Sequence, residues 1–368
     1  MKFDDQGLPV GFLTRTATII AGPNLEGNLL TLGNRSSVRG LVLQGAPPPP
    51  EGNAGHVPEA DARPVGNVVA VASRGQDDIV SAAIDECVLI NENDSGVGPD
   101  APTGAAVLVH TGNPKLGEAP PPHEDAEVTV DVTQSIVEAA KDGKAVFAMN
   151  FASGGKVTIK LKKNDIRGPL DVIGGLSRPD AVVGATTTII SRANRYSGSG
   201  SDAAAWQVFG GSSPPFEAGP NSNSDSNTAN VESRDDEIKG FQVGIVAFGG
   251  LRLNSDGGTC SYNEVNLKLL RMTIATRPPV ATKPPEAAAD FVFVGAQSAG
   301  PFSAGDANIV HVHMQQSTGS GRRENLYADS AGFGTGNQLV FKGTTVAFTR
   351  NNRRIDPAPP AEFFEHGG

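Results

Sequence analysis

The sequence predicts an all-β chain coiled as a β-solenoid, and three observations carry that prediction. Short valine- and isoleucine-rich segments return along the whole chain, each closed by Gly or Asn, and almost nothing reads as a long helix. One strand-opening pattern, Gly-Asn-x-aliphatic-x-apolar, recurs at residues 27–32, 66–71 and 336–341. Aromatic content is only 5%, with the one tryptophan at Trp206, which favours a narrow aliphatic interior over a sandwich or propeller. A short strand unit with interchangeable aliphatics cannot bury its face alone, whereas stacked units bury one another. The chain has 368 residues, long for one globular domain, but a stack grows along one axis and escapes that limit. We therefore read residues 1–368 as one domain with its repetitive core at about 14–355.

In chain order, strands are expected at 17–20, 28–32, 38–43, 68–72, 84–90 and 105–110, then at 145–151, 157–161 and 182–190. Further strands are expected at 241–248, 265–274, 291–294, 309–314 and 339–348. Alternation is clearest after Lys156, where Val157, Ile159 and Leu161 share one face and lysines take the other. That segment ends at Asn164, and Asn194 follows the next strand, 30 residues on. Asn tolerates the left-handed conformation of a sharp corner, so the two are expected at equivalent turns. Residues 131–144 carry apolar side chains at near-helical spacing, but the alternating Val128, Val130 and Val132 before them favour strand–turn–strand over a helix. Proline-rich or polar stretches at 46–64, 113–127, 210–235 and 277–289 are expected to protrude as loops, because proline cannot extend a ladder. The Ser/Asn-rich tract at 219–235 is expected to be mobile.

Thirty basic against 40 acidic residues give a net charge of -10, and no Lys/Arg stripe with interleaved aromatics offsets it, which argues against a nucleic-acid partner. Cys87 and Cys260 both sit in apolar runs. With roughly six turns of a solenoid between them, at ~4.8 Å per strand step, they are expected as two free, buried thiols. No apolar run approaches the ~20 residues of a membrane-spanning helix. The start, MKFDDQGLPVGF, is not a secretory signal, and strand-like sequence begins near Thr14 without a cap. The expectation is a surface or extracellular protein whose leader and first turn lie outside this sequence; a cytoplasmic protein is the alternative.

The Gly/Asn-punctuated segments KVTIKLKKNDIRGPLDVIGG, DDEIKGFQVGIVAFGGLRLNSDGG and NEVNLKLLRMTIAT resemble the right-handed parallel β-helix superfamily, the pectate-lyase-like fold. The resemblance covers most of the chain and implies a single-stranded β-helix; its handedness follows from the resemblance and from the preference of parallel crossovers. The superfamily implies carbohydrate-active enzymes, phage tailspikes, adhesins and surface scaffolds. Neither the carboxylate cluster plus basic proton acceptor of the lyases nor the paired aspartates and Gly-His-Gly turn of the polygalacturonases stands in this sequence, and fold alone transfers no chemistry. The expected role is a surface scaffold that binds polysaccharide without a catalytic set. The alternatives are a lyase or glycoside hydrolase acting on an acidic polysaccharide, and a tailspike or adhesin shaft.

Several constellations are candidates for chemistry. Asp235 and Glu237 flank Asp236 at a strand start, so the two could cooperate as a glycosidase pair, or hold Ca²⁺, or simply form a solvated turn. His311 and His313 project from one face beside inward Val310, Val312 and Met314; a metal site there would need a third ligand such as Asp306 or Glu324, with Asp235 a further metal candidate. Lys160, Lys162, Arg192 and Arg195 are candidates for a basic strip facing an acidic sugar, with Lys160 or Arg192 as proton acceptor, or for solvated charge. Trp206, Tyr196 and Tyr327 are the candidate sugar-stacking platforms.

Overall fold

The structure is a computed structural model. It describes residues 1–11, 17–20, 28–45, 67–73, 78–92, 97–98, 101–102, 104–112, 125–139, 143–177, 181–198, 204–213, 223–252, 258–276, 290–298, 305–319, 325–332, 336–344 and 352–354. Among these residues every regular element is a strand. Three large sheets of ten, nine and eight strands hold nearly all of them, and within each the neighbours pair in parallel. We call them the first, second and third sheet. The chain visits them in turn: Ala105–Thr111 in the first, Glu127–Thr133 in the second, Ile136–Glu138 in the third, then Lys144–Asn150 back in the first. Each circuit adds one strand to each sheet, an arrangement compatible with a parallel β-helix.

Alternation decides what faces inward. In the first sheet Val69, Val107, Val146, Leu170, Trp206, Ile245 and Phe291 stand in register, all fully buried. In the third, Leu43, Leu89, Val137, Ile166, Tyr196, Ile238 and Ile274 form a matching column. The second contributes Ala82, Val130, Ile159, Ile189, Val231, Leu267 and Val312. These columns meet in one continuous cluster. A separate cluster, including Met149, Ile173, Phe209 and Phe248, lies on the opposite face of the first sheet.

Two rows of corners bend the circuits. Between the second and third sheets, one residue per circuit takes a left-handed conformation: Gly40, Glu86, Gln134, Lys163, Ala193, Asp235, Arg271 and Gln316. The following residue points inward, and there Ser135, Asn164, Asn194 and Asp236 stack. Ahead of the second sheet the left-handed residues are Asp125, Gly154, Gly184, Ser226, Tyr262, Ala307 and Gly336. Asn227, Asn263, Asn308 and Asn337 form the ladder behind the last four, each Oδ1 accepting from the backbone N–H one circuit earlier at 2.9 Å. An amide at such a corner satisfies a donor above and an acceptor below that the bend would strand.

The expected strand–turn–strand at 131–144 is present, as Glu127–Thr133, the corner Gln134 and Ile136–Glu138. Asn164 and Asn194 are indeed equivalent, Asn164 N donating to Asn194 Oδ1 at 2.8 Å. Several expectations need correction. The segments at 38–43, 84–90, 182–190 and 265–274 are each two strands, because a one-residue corner interrupts the backbone without interrupting the apolar pattern. The three Gly-Asn openings are not one repeat position. Leu30–Leu32 and Val69–Ala72 pair in the first sheet, with Asn67 Nδ2 donating to Asn28 Oδ1 at 2.9 Å, whereas Asn337 opens a strand of the second sheet. The expected loop at 210–235 contains the end of Ala204–Ser213 together with Ser224–Asp225 and Thr228–Arg234, so the Ser/Asn tract is strand from Ser224 onward. Of its inward residues only Val231 is a larger aliphatic, Ala229 being small and Ser233 polar, which hid it. Residue 127 of the expected loop at 113–127 already begins a strand; 46–64, 113–124 and 277–289 lie outside the described residues. Both cysteines are free and buried, as expected. No helix is long and apolar enough to cross a membrane among the described residues. An antiparallel hairpin of Lys2–Phe3 and Pro9–Gly11 lies against the third sheet, Asp4 accepting from Arg195 Nη2 at 3.2 Å.

Candidate functional site

The outward face of the second sheet carries a regular array of polar side chains. Seven-residue strands here place three inward positions between four outward ones, and parallel register repeats each position at ~4.8 Å. One outward row reads Thr129, Thr158, Thr188, Asn230, Asn266 and His311, all half-buried. Asn266 Nδ2 donates to Asn230 Oδ1 at 3.0 Å, and Asn230 Nδ2 to Thr188 Oγ1 at 3.4 Å, so the row is pre-ordered. A second outward row places Lys162, Arg192 and Arg234 opposite one another on three successive strands, all exposed. Like charges directly opposite destabilise a sheet, so this column needs an anionic counterpart more than scattered surface cations do. Among the described residues neither Lys162 nor Arg192 has an ion-pair partner, and Arg234 Nε lies 3.5 Å from Asp235.

The sequence-based candidates are distributed differently from the expectation. Lys160 stands opposite Ile190, not Arg192, and its Nζ is 3.5 Å from Asp131. Arg195 belongs to the third sheet, engaged by Asp4 at 3.2 Å and Glu237 at 3.7 Å, so it leaves the strip. Arg234, which the sequence reading passed over inside a supposed loop, replaces it.

Asp235 stands at the left-handed corner and Glu237 opens the third-sheet strand beyond it, with Asp236 inward between them, and each is held by its own cations. Arg271 grips Asp235 through two bonds of 2.6 Å, and this pairing holds the carboxyl below its ordinary value. Glu237 pairs with Lys239 at 2.5 Å and with Arg195. Asp235, held ionised on a guanidinium, is a poor proton donor, and Glu237 is engaged by cations of its own. His311 Nε2 lies 3.6 Å from Glu264 Oε1, and His313 stands opposite Lys268. Asp306 packs at the corner beside Ser261, donating its N–H to Ser261 Oγ, and Glu324 lies outside the described residues. Among the described residues no group of three His, Cys, Asp or Glu side chains comes together to hold a metal, and Asp235 is taken up by Arg271.

Burial also reassigns the aromatics. Trp206 and Tyr196 are fully buried and meet edge-to-face at 5.1 Å, inside the stack and closed to a sugar ring. Tyr196 OH bonds Ser191 Oγ at 2.7 Å, the small serine making room for the ring. Tyr327 lies in Asn325–Gly332, opposite Phe293. Among the described residues Tyr262 is instead the exposed aromatic, 66% accessible at a left-handed corner whose equivalents are small residues and Asp125. Its position just before a ladder asparagine was the signal available in the sequence.

No protein-family model matches this sequence, and no curated protein matches it.

Proposed function

We propose that this chain is a right-handed parallel β-helix of the pectate-lyase-like kind, acting outside the cell or on its surface as a scaffold that binds an acidic polysaccharide without cleaving it. The column of Lys162, Arg192 and Arg234 carries the reading. Three cations in register suit a polymer with regularly spaced acid groups laid along the stack axis, and the Thr/Asn row, two outward rows away on the same face, supplies hydroxyl and amide partners for sugar hydroxyls. Tyr262, at the corner leading into that face, offers a ring for stacking. The scaffold reading is favoured over lyase or hydrolase chemistry because Asp235 and Glu237 are each consumed by ion pairs.

Binding to a panel of acidic and neutral polysaccharides, followed by calorimetry or affinity electrophoresis, tests the proposal. The expected result is salt-sensitive binding to an acidic polymer, weakened about tenfold or more by Arg192→Glu, or ~1.4 kcal/mol. Binding to no acidic polymer, or an unaltered affinity in that variant, would refute it. Release of unsaturated or reducing sugar from the same panel would replace it with the enzymatic reading.

A further inference from the structure

The inward row between the second and third sheets holds two successive amides, Asn164 and Asn194, and then an acid, Asp236. Asn164 Oδ1 accepts from Ser135 N at 2.9 Å while its Nδ2 donates to Val132 O at 2.9 Å. Asn194 repeats this one circuit later, accepting from Asn164 N at 2.8 Å and donating to Leu161 O at 3.0 Å. Its Nδ2 also reaches Ser191 Oγ, three residues back, at 2.9 Å. In the other ladder Asn227 Nδ2 donates to Ser224 Oγ, again three residues back, at 3.1 Å.

Asp236 holds the next place after Asn194. Its Oδ1 performs the amide oxygen's role, accepting from Asn194 N at 2.7 Å and from Asn194 Nδ2 at 3.2 Å. As a carboxylate its Oδ2 accepts from Ser233 Oγ at 2.5 Å, three residues back, where the neighbouring circuit has Asn194 Nδ2 donating to Ser191 Oγ. A carboxylic acid is the near-isostere of a carboxamide, and its O–H can serve where the amide N–H serves; an ionised carboxylate cannot. We propose that Asp236 is an interior proton-binding site, its Oδ2–H standing in for the amide donor of the ladder, so that the stack is held more tightly in mildly acidic than in neutral solution.

The surroundings agree. Asp236 is buried, and among the described residues no cation is paired with it. Asn194 and Ser191 face it from the preceding circuit, and Met272 takes the next ladder place. Tyr196 is the other titratable group on the network; burial, and then the Asp236 charge, push its hydroxyl well above its ordinary value, so it stays neutral. The flanking Asp235 and Glu237 turn outward to Arg271, Arg234, Lys239 and Arg195. Burial raises the Asp236 carboxyl to about 6, against the hydrogen bonds from Ser233 and Asn194 that lower it. Its ordinary value is 3.8, so between these two the folded chain holds a proton that the unfolded chain has lost. This contribution to stability is complete below the ordinary value, declines as pH rises toward 6, and is gone above it.

Asp236→Asn restores the amide and removes the titration. Denaturation of both forms across pH 4 to 7.5 is the experiment. At pH 7.5 the variant should fold with an equilibrium constant about a hundredfold larger than the native chain, the two converging as pH falls to 4. A variant that is no more stable at pH 7.5, or a difference independent of pH, would overturn the proposal. Infrared pH-difference spectra of the native chain give a second readout that needs no variant. A protonated carboxyl band that disappears as pH passes about 6 is expected; its absence would equally overturn the assignment.

Discussion

Asn263 shows what a single corner amide does. It accepts from Asn227 N at 2.9 Å and donates through Nδ2 to Ser224 O at 2.8 Å, with a further contact to Asn308 Oδ1 at 3.0 Å. Removing it strands a buried N–H and a buried C=O, each worth about 1–3 kcal/mol when unpaired. Asn263→Ala should therefore lower stability by about 2–4 kcal/mol in urea unfolding, more than removal of any one aliphatic methyl nearby. Arg271 is the contrasting case. Its bidentate hold on Asp235 is geometrically good but exposed on both sides, so Arg271→Ala should change stability by less than about 1 kcal/mol. Comparing the two variants separates buried satisfaction from surface charge pairing.

Paired glycines link the first sheet to the corner ladder at the scale of the element. Gly174-Gly175, Gly210-Gly211 and Gly249-Gly250 stand at one position of three successive strands. A Cβ on Gly210 would lie 2.4 Å from Gly249 O, and one on Gly174 would lie 2.1 Å from Gly210 O, so the first glycine of each pair lets backbones approach. A Cβ on the second would strike the ladder amide of the following circuit: Gly175 against Asn227, Gly211 against Asn263 and Gly250 against Asn308. The glycine pair and the asparagine thus form one device, split between two circuits. Gly210→Ala should cost about 2–3 kcal/mol, since the obstacle is backbone and cannot turn aside. Gly184→Ala meets no atom within 4 Å and faces only its positive φ of 71°, a cost of about 1 kcal/mol. Thermal unfolding of both should rank them in that order. The glycine pairs were visible in the chain as punctuation; that they accommodate specific asparagines was not, because the partner lies 52 to 58 positions away depending on the inserted segments.

The whole molecule is close to one-dimensional, since each circuit pairs only with its two neighbours. Thr186–Arg192 is paired on both sides, to Lys156–Lys162 and to Thr228–Arg234. Among the described residues Thr18–Ile20 pairs on one side only, with Val42–Gln44, and exposes Ile19 and Ile20. Amide exchange should accordingly be slowest in the central strands of the second sheet and fastest at Thr18–Ile20, a gradient readable by hydrogen-exchange mass spectrometry. Uniform protection along the stack would contradict a nearest-neighbour structure. The net charge of -10 sets a long-range repulsion toward polyanions, so the binding proposed for the Lys162 column would depend on local field and fall steeply with salt.

Strand content, the inward aliphatic rows, the free thiols and the equivalence of Asn164 and Asn194 were determined by the sequence itself, because side-chain alternation and corner chemistry are local properties. Register was decided only in three dimensions. Equivalent ladder positions are separated by 48, 29, 30 and 42 residues on successive circuits, so no constant period counts them out. A one-residue corner leaves the apolar pattern running, and so hides where one sheet ends and the next begins. The juxtaposition of Lys162, Arg192 and Arg234, the inward turn of Trp206 and the place of Asp236 in an amide ladder all follow from that register, which interstrand hydrogen bonds set between segments of unequal length.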